Sequence, residues 1–196
     1  MKMDKVANSG NDEFYTPFYA IEPLLKYIPA GKSIWCPFDT DESLIVKAFK
    51  DKGFKVSATH IQDGHDFFTT EPQGEIIISN PPYSLKGEVF QRLFDLGLPF
   101  AMLVGVVGLF ESRKRFNMFK ENDFEIMWMN KRIAYFKSYA EQKPSLNPPF
   151  SSIWLTKSIL PKGNVFETVH SQKDSSEAQH IKEDLKSKQL DLFFER

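Results

Sequence analysis

The chain has 196 residues, 41% hydrophobic and 26% charged, which excludes a disordered chain and allows one domain with a substantial core. A single cysteine, Cys36, excludes an internal disulfide or a cysteine-rich zinc site, and no stretch approaches the ~20 apolar residues that span a bilayer. The formal net charge of −1 gives no overall basic field, but residues 1–110 carry 10 Lys/Arg against 14 Asp/Glu, whereas residues 111–143 carry 8 against 5.

Met1 to Asn11 is polar and lacks the apolar centre of a signal peptide, so a cytoplasmic protein is expected. Thr16-Pro17 reads as a helix start, with Thr16 as N-cap. Ile21, Leu24, Leu25 and Ile28 follow at helical spacing until Pro29-Ala30-Gly31. Ser33 to Phe38 reads as a buried strand that contains Cys36, expected to be a buried thiol. A helix is expected over Glu42–Lys52 with Gly53 at its end, then a strand over Phe54–Ile61.

Glu75 to Ser79 is a third apolar strand, cut off by Asn80-Pro81-Pro82. Glu88–Leu96 is an amphipathic helix closed by Gly97. Pro99–Val107 is apolar throughout, as a strand covered on both faces should be. A basic helix is expected over Ser112–Lys120, with further strands at Phe124–Met129 and Ser151–Thr156. Gly105-Val106-Val107-Gly108 reads as a turn. Residues 171–188 are polar, with Asp174 and Glu177 spaced as a capping box and only Ile181 and Leu185 as an apolar stripe. Helices alternating with apolar strands predict an α/β fold, a mostly parallel open sheet flanked by helices. Ligands bind such sheets at the carboxyl ends of the strands, near the point where strand order reverses.

The rim of that sheet carries the most informative turn. In Asn80-Pro81-Pro82-Tyr83 the prolines fix φ twice and remove two amide donors, and Asn80 is forced into an extended conformation. A stiff turn then offers a carboxamide oxygen and a backbone carbonyl beside an aromatic face. Two fixed acceptors suit an exocyclic NH₂ group, whose lone pair they draw out of conjugation so that it can attack a sulfonium methyl. Asn147-Pro148-Pro149-Phe150 repeats the motif, but polar residues precede it; of its two possible roles, lining the pocket or shaping the entry to the Ser151–Thr156 strand, the second is expected.

With these residues in place, the chain resembles the amino-methyltransferases of the Rossmann-like, class I group that use S-adenosylmethionine (SAM). Among them it is most similar to the phage- and prophage-encoded DNA N6-adenine methyltransferases. The resemblance runs in order through Tyr15-Thr16-Pro17, the Ile34–Glu42 strand and loop, Gly64 to Phe68, and Ser79 to Tyr83. It implies a methyltransferase domain over residues 1–168 and a polar tail over 169–196. It also implies SAM as cofactor without a metal, DNA as partner, and a base flipped from its stack. Thr16 and Pro17, with Tyr15, would meet the methionine part of SAM. Asp66 and Phe67 would flank its adenine, and Asn80 to Tyr83 would hold the target amine, with Tyr83 stacking on the base.

Two departures stand out. The family's first loop is glycine-rich, whereas here it reads Cys36-Pro37-Phe38-Asp39-Thr40-Asp41-Glu42, and Thr40 and Glu42 are expected to crowd the cofactor. The acid expected after the second strand is replaced by His60, with Asp39 or Asp63 as the substitute that would grip the ribose. Asp39 and Asp41 are expected to cap the next helix and not to bind a metal. Arg113, Lys114, Arg115, Lys131, Arg132 and Lys137, interleaved with Phe116, Phe119, Tyr135 and Tyr139, form the candidate nucleic-acid surface. The same turn would serve an RNA adenine or a protein glutamine amide, and the altered loop leaves open a non-catalytic binding module.

Overall fold

The structure, a computed structural model, describes residues 15–136 and 150–170. Seven strands form one sheet: β1 (Ser33–Cys36), β2 (Lys55–Ala58), β3 (Ile76–Ser79), β4 (Phe100–Gly105), β5 (Glu125–Met129), β6 (Ser152–Lys157) and β7 (Asn164–Glu167). Their spatial order is β2-β1-β3-β4-β6-β5-β7. Among the described residues four α-helices accompany them: α1 (Phe18–Leu25), α2 (Leu44–Asp51), α3 (Lys86–Leu96) and α4 (Arg113–Lys120). The chain is therefore a single α/β domain of generic Rossmann-like form.

Strand alternation builds the two cores. Ile34, Cys36, Ile76, Ile78, Ala101 and Leu103 pack on one face with Ile21 and Leu24 of α1 and Ile45 and Phe49 of α2. Trp35, Ile77, Phe100, Met102 and Val104 pack on the other with Val89, Phe90 and Leu93 of α3 and Met118 and Phe119 of α4. Much of the phenylalanine content is spent here. Phe90, Phe94, Phe100 and Phe119 meet at centroid distances of 5.2–6.1 Å, mostly edge to face.

Several element ends differ from the sequence reading. Thr16 is not the N-cap of α1: Pro17 holds that place in an extended conformation, without a side-chain cap. Helix α2 is capped by Ser43, whose Oγ accepts from the Ile45 amide at 3.2 Å, and not by Asp39 or Asp41. Strand β1 stops at Cys36 because Pro37 has no amide to donate. Strand β6 runs antiparallel between β4 and β5. Strand β7 was not expected at all; it pairs parallel with β5 and buries only Val165. Cys36 is a buried thiol, as read from its apolar surroundings. Gly108, at φ +75°, completes the turn expected after β4. The repeat motif's Asn147 to Pro149, the basic Lys137 and Tyr139, and the tail from residue 171 lie outside the described residues.

The chain passes from β1 to β2 on one side and then crosses to β3 on the other side of β1. The strand order thus reverses between β1 and β3, and the carboxyl ends of these two strands define the crevice where ligands bind in such sheets.

Candidate functional site

Asn80 follows directly from the fully buried Ser79, the last residue of β3. Pro81 is buried, Pro82 and Tyr83 are half-buried, and Tyr83–Leu85 forms one turn of 3₁₀ helix leading into α3. The Leu85 amide donates to the Pro82 carbonyl at 3.3 Å and so closes this turn. The carboxamide oxygen of Asn80 is shielded from solvent. In such a low-dielectric place a hydrogen bond is stronger than in water.

The loop after β1 is fastened to this turn. Ser79 Oγ accepts from the Phe38 amide at 3.2 Å and donates its own proton to Asp39 Oδ2. Ser43 Oγ donates to the other carboxylate oxygen at 2.5 Å. Asp39 is only 7% exposed. Burial pushes its carboxyl up to about 6, against the pull of Ser43, Ser79 and the nearby His60. Both oxygens of Asp39 are thus engaged internally. Asp41 and Glu42 turn outward to pair with Lys50 and Lys47 of α2. Glu42 therefore does not crowd the crevice, contrary to the expectation from its place in the loop. Asp39 and Asp41 face different ways, and among the described residues no group of three or more acidic, His or Cys side chains is placed to hold a metal.

Other predicted residues converge on the same rim. Phe67 lies 4.7 Å from Phe38 and 5.7 Å from Trp35, centroid to centroid, and is 3% exposed. Asp66 accepts from the Phe68 amide at 2.9 Å and so shapes the turn that carries Phe67. His60, half-buried at the end of β2, accepts from the Gln62 amide at 3.3 Å and starts the short 3₁₀ helix Ile61–Asp63, on which Asp63 is exposed.

Tyr15-Thr16-Pro17 arrives from another direction. Tyr15 exchanges two backbone hydrogen bonds with Phe136, at 2.9 and 3.2 Å. The neighbouring Tyr135 is fully buried and donates to Ser152 Oγ at 2.9 Å. Burial pushes its phenol up to about 12, while Ser152 and Tyr83 pull it the other way. The Tyr15–Phe136 pair therefore sets the Thr16-Pro17 segment next to the element that carries the buried Tyr135. Thr16 is 1% exposed, and its hydroxyl has no hydrogen-bond partner among the described residues. A buried hydroxyl in that state keeps donor and acceptor capacity for a water or a bound group.

Phe150, the aromatic end of the repeated motif, stands edge-on to Tyr83 at 5.4 Å. Gly105 makes room for it, since a Cβ there would come within 2.8 Å of the Phe150 ring. Of the two roles weighed for the second copy, its aromatic residue thus meets the one beyond strand shaping, since it stands against the first copy.

Two residues were missed by the sequence reading. Lys86 Nζ donates to the carbonyls of Gly105 and Val107 at 3.3 and 3.1 Å and lies 5.1 Å from the centre of the Tyr83 ring. Arg92 lies over Phe67 at 5.6 Å and donates to the Thr70 carbonyl at 3.0 Å. Both are single cations at unremarkable helix positions, with no sequence signal to separate them from surface charge.

Of the basic candidates, Arg113, Lys114 and Arg115 occupy the first turn of α4, which contains no acidic residue. Arg115 lies across Gly87 at the start of α3. Arg113, Lys114 and Arg132 are exposed. Three cations at a helix N-terminus oppose the helix dipole, an arrangement that a bound polyanion would relieve. Among the described residues no helix is long and apolar enough to cross a membrane.

No protein-family model matches this chain, and no curated protein matches it.

Proposed function

We propose that this chain transfers a methyl group from SAM to an exocyclic amino group, the N6 of adenine in DNA. The observation that carries the reading is the convergence of three separated segments at the carboxyl ends of β1 and β3. Phe38-Asp39, Asp66-Phe67 and Asn80–Tyr83 are tied to one another there through Ser79 and the Phe38–Phe67 contact, and the Tyr15–Phe136 pair brings in Thr16-Pro17 from a neighbouring element.

SAM would supply an electrophilic methyl on a sulfonium. Thr16, whose buried hydroxyl has no partner among the described residues, and the Phe38 side of the crevice are the groups suited to hold it, and the outward turn of Glu42 leaves that approach open. Asn80 Oδ1 and the Pro81 carbonyl would accept the two hydrogens of the target amine and fix its lone pair. Tyr83, braced by Phe150 and Lys86, would stack on the base. Positioning and fixed dipoles then do the work, without a covalent intermediate on the protein. The cations of α4 would meet the phosphates. The glycine-free loop favours a second reading, a binding module that holds nucleic acid without turnover.

Labelled SAM incubated with the protein and genomic DNA, total RNA or cell lysate distinguishes these readings. Label in DNA is the expected result. Label in RNA or protein instead would redirect the substrate, and no label together with no heat on titration with SAM would leave the binding module.

A further inference from the structure

The residue next to the proposed catalytic turn carries a second role. We propose that Asp39 and Ser79 form a latch that transmits occupancy of the cofactor loop to the Asn80–Tyr83 turn, which makes Asp39 a positioning residue for methyl transfer. The proposal rests on the methyltransferase reading of the same crevice.

Ser79 is 0% exposed at the end of a strand that is otherwise isoleucine, and its hydroxyl is used twice. It receives the Phe38 amide and gives its proton to Asp39. Asp39 in turn holds Ser43, the cap of α2. One buried hydroxyl therefore links the loop after β1, the start of α2 and the residue that precedes Asn80. Any shift of residues 37–43 on binding an adenosyl group moves the partners of Ser79, and Ser79 is one peptide bond from Asn80. The Phe38 half of this link is a backbone amide, but the Asp39 half needs a carboxylate side chain, which a glycine there would not supply. The replacement of that loop by Phe38-Asp39-Thr40 thus has a use: it exchanges close backbone approach for a mechanical connection.

The arrangement requires Asp39 to accept from two serines, which its ionised form does with both oxygens. Protonation would cost one of these bonds. The groups around it are Cys36 below it on β1, Ser43 of α2, His60 after β2 and Ser79 of β3, with Lys50 of α2 acting on Cys36. Of these, His60 acts on the Asp39 carboxylate through its charge, so its variant is the necessary control.

Hydrogen exchange with and without S-adenosylhomocysteine, combined with kinetics, tests the latch. In the wild-type protein the ligand should protect amides in residues 37–43 and in residues 80–87 together. In Ser79→Ala it should protect only the first group, and kcat should fall about 100-fold, the scale expected for misplaced reacting groups, with the KM for SAM changed far less. Asp39→Asn, which keeps the side-chain shape, should behave in the same way and lose the acidic limb of the pH–rate profile, whereas His60→Gln should keep that limb. Protection of both segments with unchanged kcat in Ser79→Ala and Asp39→Asn would overturn the latch and leave the methyltransferase reading intact. Wild-type protein in which S-adenosylhomocysteine protects neither segment would overturn both.

Discussion

Two carboxylates join the same pair of strands at opposite ends, and they are held in opposite ways. At the amino end of β1 and β3, Glu75 accepts from Lys32 Nζ at 2.7 Å, from the Ser33 amide at 3.0 Å and from Ser33 Oγ at 3.1 Å. Lys32 first and Ser33 next draw its carboxyl down to about 2. At the carboxyl end, Asp39 is enclosed with serine hydroxyls as its partners, and burial raises its carboxyl to about 6. The first clasp favours the charge it holds. The second confines a charge that would be better placed in water. A buried carboxylate that costs stability, set at the switch point of the sheet, points to the end where function lies.

The largest expected effect comes from relieving the second clasp. For Asp39 the native value of about 6 lies above the ordinary 3.8. The unfolded chain then releases its proton first as pH rises, and native stability falls between those two values. Above them the deficit is complete, and the shift corresponds to up to about 3 kcal/mol. Asp39→Asn should therefore raise the urea midpoint at pH 8, with the gain vanishing near pH 3.5, even though the proposed latch has the same change lower turnover. A variant less stable than wild type at pH 8 would remove the contrast between the two clasps.

Next in size is the backbone beside Glu75. A Cβ at Gly74 would lie 2.6 Å from the Trp35 nitrogen and 2.7 Å from the Ile34 carbonyl carbon. Backbone cannot move aside as a side-chain tip can, so Gly74→Ala should cost about 1–3 kcal/mol in chemical denaturation. The smallest effect is expected from Glu75→Gln, because this carboxylate faces solvent and its ion pair with Lys32 is screened. Its contribution is present above the ordinary carboxyl range and is lost as pH falls toward 2. The loss in thermal midpoint should accordingly appear at pH 7, shrink in high salt and disappear in strong acid.

The sequence made one end of this comparison easier to see than the other. Apolar runs such as Ile76-Ile77-Ile78 announce buried strands through local pattern, and a turn with two prolines is visible from its own chemistry. The Ser79–Asp39 bond joins residues 40 positions apart. It leaves no periodicity, and a serine at a strand end looks like any other. Strand β7 was hidden for a related reason: with only Val165 buried, it has no apolar run to mark it. The direction of β6 is likewise a matter of sheet pairing, which its own apolar sequence does not encode. Phe67 was readable as an aromatic beside an acid. Its burial against Trp35 and Phe38 depends on three chain segments meeting.

Nucleoside analysis of adenine-containing DNA after incubation with SAM tests the central claim most directly, with wild-type protein compared against Asn80→Ala. The account predicts N6-methyladenine from the wild type and none from the variant, with SAM affinity of the variant within a few-fold of wild type. Undiminished product from Asn80→Ala, or wild-type protein that binds SAM and DNA yet forms no methylated base, would contradict it.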